Sequence, residues 1–246
     1  MKVRLYFRPK SPTQYHMEGI SRPNELYEGR QAQALVILVF RAEDILTQRG
    51  VKFSDQNMQL YGTVQRSTDA EFQSIPFDSV YHEGTFDPHT AEGADIIRRR
   101  CAEVLLPSPL QLPGHLQSVL CRSPAERATL LHLLGNSANQ WSERIRVFTE
   151  PGLFQNRYAY LNTVDGGPDG VAFTISPRHD GASVTTTMWV WDDHGNQIMH
   201  LTPRYLDPAK PWKTRNSLKP GTYLVRFELK GCLAYEAPFV IDELPF

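Results

Sequence analysis

Beyond residue 147 the apolar residues of this chain repeat at every second position, in short runs separated by turn residues. Val171–Ile175, Thr187–Trp191 and Thr222–Leu229 are rich in branched and aromatic side chains. Asp165-Gly166-Gly167, Asp193-His194-Gly195-Asn196 and Lys219-Pro220-Gly221 punctuate them. A helix needs apolar residues at a spacing of about 3.6, so this pattern admits strands and excludes helices. Residues 148–246 are therefore predicted to form an all-β, sandwich-like domain. The whole chain has 246 residues, enough for two domains of about 100–150. Residues 1–147 make the other.

That first part mixes both periods. Val3, Leu5 and Phe7 alternate with Arg4, Tyr6 and Arg8, which predicts a strand with one buried face, stopped by Pro9 and Pro12. Gln33 to Phe40 is a continuous apolar run that fits a central strand buried on both faces. Ala42–Gln48 reads as a short helix with Gly50 behind it, and Phe53-Ser54-Asp55 as an extended piece. Ser67–Phe72 carries helix-start signals. Thr85 to Asp95, with Gly93 and Pro88, reads as a mobile loop. Cys101–Leu106 is a strand ended by Pro107, and Val119–Cys121 a shorter one. Ser123-Pro124-Ala125-Glu126 opens a helix that Gly135 closes.

Composition narrows the function classes. The net charge is −1, so no global field draws the chain to a polyanion or a membrane, and any nucleic-acid contact must come from a local patch. Cys101, Cys121 and Cys232 show no CxxC spacing, which points to a reducing cytoplasm rather than a zinc ribbon or a disulfide framework. The longest apolar run, Ala34–Phe40, is too short for a membrane helix, which needs about 20 residues. The N-terminus lacks a signal core. No P-loop, nucleophile elbow or dinucleotide glycine motif is present. His82-Glu83 and His89 lie in polar surroundings without metal-ligand spacing, so no metal is expected.

Three places can carry chemistry. Tyr6-Phe7-Arg8-Pro9-Lys10, with Tyr15 following, sets aromatics and cations beside a tight turn. It reads either as a binding edge for a nicotinamide and a phosphate or as a solvated strand edge. Strand alternation in Cys101–Leu106 puts Cys101, Glu103 and Leu105 on one face. A carboxylate in an apolar strand is costly unless paired or used, so Glu103 is either a catalytic acid or an ion-paired edge residue. Arg98-Arg99-Arg100 suits phosphates, and a charge run is also simply a solvated face. In the β-part, Trp189, Trp191, Trp212 and Tyr223 line a groove or fill the core.

In this order, three segments resemble the DarT family of DNA ADP-ribosyltransferases. Tyr6-Phe7-Arg8-Pro9-Lys10-Ser11-Pro12, with Tyr15, is similar to the family's aromatic-F-x-P-[RK]-S-P-M-x-Y segment. Phe53-Ser54-Asp55-Gln56-Asn57 is similar to its F-[ST]-D-x-[HN] segment, and Arg100-Cys101-Ala102-Glu103-Val104-Leu105 to its [KR]-x-A-E-[FV]-L segment. The likeness covers roughly residues 1 to 135. Thr13 stands where the family has methionine, and Asn57 where several members carry histidine. The family's NAD-binding histidine and asparagine-leucine pair, and an arginine ahead of the Tyr-Phe strand, would precede Met1. The expected fold is thus an α+β ADP-ribosyltransferase-like domain, incomplete at its N-terminus, followed by the β-sandwich.

The resemblance implies transfer of ADP-ribose from NAD, used as a substrate, to a base in single-stranded DNA, in a toxin or phage-defence role. It implies Glu103 as the catalytic acid; Tyr6, Lys10 and Tyr15 then fall to NAD, and Asn57, Arg98, Arg99 and Arg100 to the nucleic acid. An antitoxin or other complex partner fits the same picture. Two alternatives stand beside it: a catalytically inactive module that binds nucleic acid or a protein, and a β-domain that serves as a docking platform.

Overall fold

A computed structural model of the chain describes residues 2–19 and 34–243. The chain divides into two compact units. The first comprises Met1–His16, Leu38–Gln117 and Gly152–Gln155, the second Met17–Ile37, Ser118–Pro151 and Asn156–Phe246. Residues 118–151 lie in the second unit, on the other side of the partition from the residues grouped with them by sequence.

The first unit is built on a three-stranded antiparallel sheet. β1 (Lys2–Tyr6) and β3 (Lys52–Ser54) flank the central β4 (Glu103–Pro107). The register sets Leu5 against Val104 and Val3 against Leu106 on one face, where they join Ile45, Phe40 and Val51 in an apolar core. A second core beside it joins Phe53, Ile75, Val80 and Ala102 with Phe7, Phe72 and Phe77. The opposite face of the sheet carries Arg4, Tyr6, Glu103 and Ser54: Tyr6 and Ser54 both sit opposite Glu103. The side chains that alternate along β1 thus divide between a greasy face and a polar one.

Around the sheet lie α1 (Pro12–Met17), α2 (Ala42–Leu46), α3 (Asp69–Gln73), α4 (Phe77–Val80), α5 (Ala91–Arg99) and α6 (Leu112–His115). Helix α5 corrects the expectation of a loop over 85–95 from Ala91 onward, while 85–90 remain coil and turn. Thr90 accepts a hydrogen bond from the Gly93 amide and caps the helix start. Gly93, which reads as a breaker, is required there: a Cβ would lie 1.9 Å from the Asp87 carbonyl oxygen. The Gln33–Phe40 strand is also corrected. Gln33 lies outside the described residues, β2 spans only Ile37–Phe40, and Leu38 is 44% exposed. A run of branched residues reports burial only when both faces are covered.

The second unit is a sandwich of two antiparallel sheets. One has the order β10 (Gln197–Leu206), β9 (Val184–Asp192), β12 (Gly221–Leu229), β13 (Cys232–Ile241). The other has the order β11 (Trp212–Lys213), β8 (Gly170–Ser176), β7 (Tyr160–Gly167). Phe173 and Ile175 meet Val190, Val225 and Phe227 in one shared core, with the Phe173 and Phe227 rings 4.7 Å apart. The helix α7 (Pro124–Leu134) is capped by Ser123, whose hydroxyl accepts from the Glu126 amide. It packs against β13 and β7, the last strand of each sheet, and so closes that side of the sandwich. The parallel pair β5 (Leu116–Cys121) and β6 (Ile145–Val147) and the short α8 (Ala138–Trp141) accompany it.

Candidate active site

Glu103 begins β4 and is 1% exposed. Its carboxylate is held from two sides. Arg4 reaches across from β1, donating from Nη2 to Oε1 at 2.6 Å and from Nε to Oε2 at 2.9 Å. The Met58 amide donates to Oε2 at 3.3 Å. A second acceptor holds the same guanidinium, since Arg4 Nη2 lies 3.0 Å from Asn57 Oδ1. Asn57 also accepts from the Gln59 amide at 2.8 Å, which fixes its side chain in the loop after β3. Glu103, Arg4 and Asn57 therefore form one cluster, assembled from three segments distant in sequence. A buried carboxylate needs a partner of this kind, because desolvation otherwise opposes its charge. The guanidinium remains partly open to solvent, with 35% of its side chain exposed.

Tyr6 shares this face. Its register partner is Glu103 and its hydroxyl lies 3.1 Å from the Thr13 hydroxyl. Burial pushes the Tyr6 phenol up, and the nearby Glu103 charge adds to that shift. The backbone turns at Lys10, whose φ is +56° and whose amide donates to Gln14 Oε1 at 2.7 Å. Among the described residues the Lys10 ammonium has no ion-pair partner. Tyr15, on α1, is 40% exposed and meets the His16 ring edge-on.

The arginine triplet at the end of α5 is occupied by internal partners. Arg98 pairs with Asp95, and Arg99 with both Asp55 and Asp95. Arg100 donates to the His82 carbonyl and lies over the Phe86 ring. These ion pairs hold the Asp95 carboxyl below the usual range, chiefly through the hydrogen bond from Arg98. Arg98 is the most exposed side chain of these ion pairs, at 47%. The residue the sequence reading passed over is Arg4. It is the polar alternate two positions before Tyr6, and only the pairing of β1 with β4 reveals what it touches.

A sequence model of the family described as "ssDNA thymidine ADP-ribosyltransferase, DarT" matches residues 3–154. The chain belongs to the DarT family. Among solved structures, Thermus sp. 2.9 DarT in complex with NAD+ is 18% identical, with a TM-score of 0.45 over 60% of this chain and 70% of that one. The same protein in complex with ADP-ribosylated ssDNA gives the same identity and TM-score over 60% of this chain and 66% of that one. CopC from Methylosinus trichosporium OB3b covers 36% of this chain and 99% of its own, at 16% identity and a TM-score of 0.26. No curated protein matches. The DarT match spans the whole Arg4–Asn57–Glu103 cluster and extends into the second unit through α7. Among the described residues, no helix is long and apolar enough to cross a membrane.

Proposed function

We infer that this DarT-family chain transfers ADP-ribose from NAD to a base of single-stranded DNA, thymidine being the base the family description names. The observation that carries the reading is the buried Glu103 carboxylate, clamped by Arg4 and the Met58 amide. NAD enters as substrate: its bond to nicotinamide breaks, and positive charge develops on the ribose. A preorganised carboxylate stabilises such charge best in a site shielded from water. Glu103 supplies that carboxylate and accepts the proton released when the base nitrogen bonds the ribose carbon. Arg4 positions it, and Asn57 positions Arg4.

Tyr6 and Tyr15 offer ring faces for the nicotinamide end, and Lys10 an ammonium for the pyrophosphate. Asn57, in the loop that follows β3, is the residue of the cluster we assign to the nucleic acid. In the arginine triplet, Arg98 is the exposed guanidinium that a phosphate can reach, with Arg99 and Arg100 anchoring α5 behind it. An activity that modifies DNA also calls for a restraining partner in the same cell, and an antitoxin fits that role.

The test mixes purified chain with NAD and a thymidine-containing single strand and follows nicotinamide release. DNA-dependent release by the wild type is expected, with a loss of about 10²-fold or more in Glu103→Gln. Equal release by both proteins overturns the role of Glu103. No modification by the wild type overturns the enzyme reading in favour of a binding module.

A further inference from the structure

The two sheets of the second unit have four outer strands. Helix α7 closes the side where β13 and β7 lie. The opposite side, where β10 and β11 form the edges, holds an open cleft of about 450 Å³. Its floor is apolar: Phe173, Met199 and Leu206 are all nearly buried. Its rim is cationic. Arg204 comes from β10, and Lys213 and Arg215 from β11 and the segment after it. Lys213 pairs with Asp169 at 3.3 Å. Arg204 and Arg215 meet no acidic side chain among the described residues. In the first unit, by contrast, Arg4, Arg66, Arg98 and Arg99 are all committed to carboxylates.

Aromatic rings lead out of the cleft. His200 lines it and lies 5.3 Å from the Trp189 ring at an interplanar angle of 10°. Trp189 in turn lies parallel to Trp191, with centroids 6.4 Å apart. Unpaired guanidiniums over an apolar floor, beside parallel aromatic rings, match the recurring chemistry of single-strand binding. The cations track phosphodiesters, and the rings and floor take bases without regard to sequence.

We propose that this cleft is a second DNA-binding site, which grips the single strand through residues that take no part in the reaction. Arg204 and Arg215 contact phosphates there, and His200 begins the stacking surface. The proposal rests on the DNA-modifying reading for its ligand but uses none of the residues assigned to catalysis. A chain with net charge −1 gains a local basic grip in this way without becoming a general polyanion binder.

The test uses the full chain and two fluorescent single strands, one of about 24 nucleotides and one of about 6, since single-strand sites span roughly 4–16 nucleotides. Anisotropy is measured over a salt series for the wild type, Arg204→Ala/Arg215→Ala and Glu103→Gln. The double variant is expected to bind the long strand about tenfold more weakly. Its salt slope should be smaller by about 1.4, because each phosphate contact on a single strand contributes about 0.7. Its modification of the short strand should be unchanged. An unaltered affinity and slope for the long strand overturns the proposal and leaves the arginines as guards of two sheet edges. If the wild type modifies no DNA yet the double variant still loses the long strand, the second site stands and the enzymatic reading falls.

Discussion

At the scale of single residues, the chemistry turns on how a carboxylate survives in an apolar strand. Glu103 is tolerable because the Arg4 guanidinium donates to both of its oxygens and the Met58 amide adds a further hydrogen bond. Removing Arg4 leaves a buried charge without its counter-ion, which typically costs about 3–5 kcal/mol. Arg4→Ala should therefore destabilise the fold strongly in urea denaturation. Arg4→Met combined with Glu103→Gln should recover much of the loss, and a non-zero coupling in that double-mutant cycle checks the pair. The thiols give a second prediction. Burial pushes Cys101 up to about 11 and Cys121 up to about 12. Only the thiolate reacts, so both should resist iodoacetamide at pH 8, while the half-buried Cys232 is alkylated. Peptide mass spectrometry reads the difference, and early labelling of Cys101 would contradict the packing around β4. Of this cluster, the need for a partner at Glu103 was legible in the sequence, because an acid among Cys101, Ala102, Val104 and Leu105 demands an explanation. Arg4 was not, because strand alternation says which face a residue is on and nothing about which strand lies beside it.

At the scale of elements, local signals worked where a side chain satisfies its own backbone. Ser123 caps α7 as its spacing to Glu126 implies. Thr68 and Glu71 form a reciprocal capping box on α3. That box holds Glu71 at about 2, mainly through the Ser67 and Thr68 amides. A carboxyl depressed in the folded state stabilises above its unfolded value, near 4.5, and ceases to do so as pH falls through about 2. The cap of α3 should accordingly persist at pH 5 and be lost between pH 4.5 and 2, which NMR of the Ser67 and Thr68 amides can follow. Helix α5 escaped the sequence reading because Gly93 is a weak helix former and its reason for being there is tertiary. The Asp87 carbonyl occupies the space of a β-carbon. Gly93→Ala should gain helix propensity on paper and lose stability in fact, by about 1–3 kcal/mol. Thermal unfolding measures the sign.

At the scale of the whole molecule, the period-two pattern beyond residue 147 was enough to identify a sandwich, but not the helix that completes it. Ala125 and Ala128 of α7 pack with the sandwich core, and the Thr129 hydroxyl accepts from the Glu236 amide at 3.1 Å on the outer strand β13. Such packing is non-local and leaves no mark on the spacing of apolar residues. A fragment of residues 118–246 should therefore unfold more cooperatively and at higher temperature than one of residues 148–246, in which that edge amide loses its partner. The central claim is that the Glu103 carboxylate makes this chain a DNA-modifying member of its family. Intact-mass analysis of a thymidine-containing single strand, incubated with NAD and either wild type or Glu103→Gln, tests it most directly. The account predicts one added ADP-ribose on the DNA with the wild type and none with the variant. DNA modified equally by both, or by neither, would contradict it.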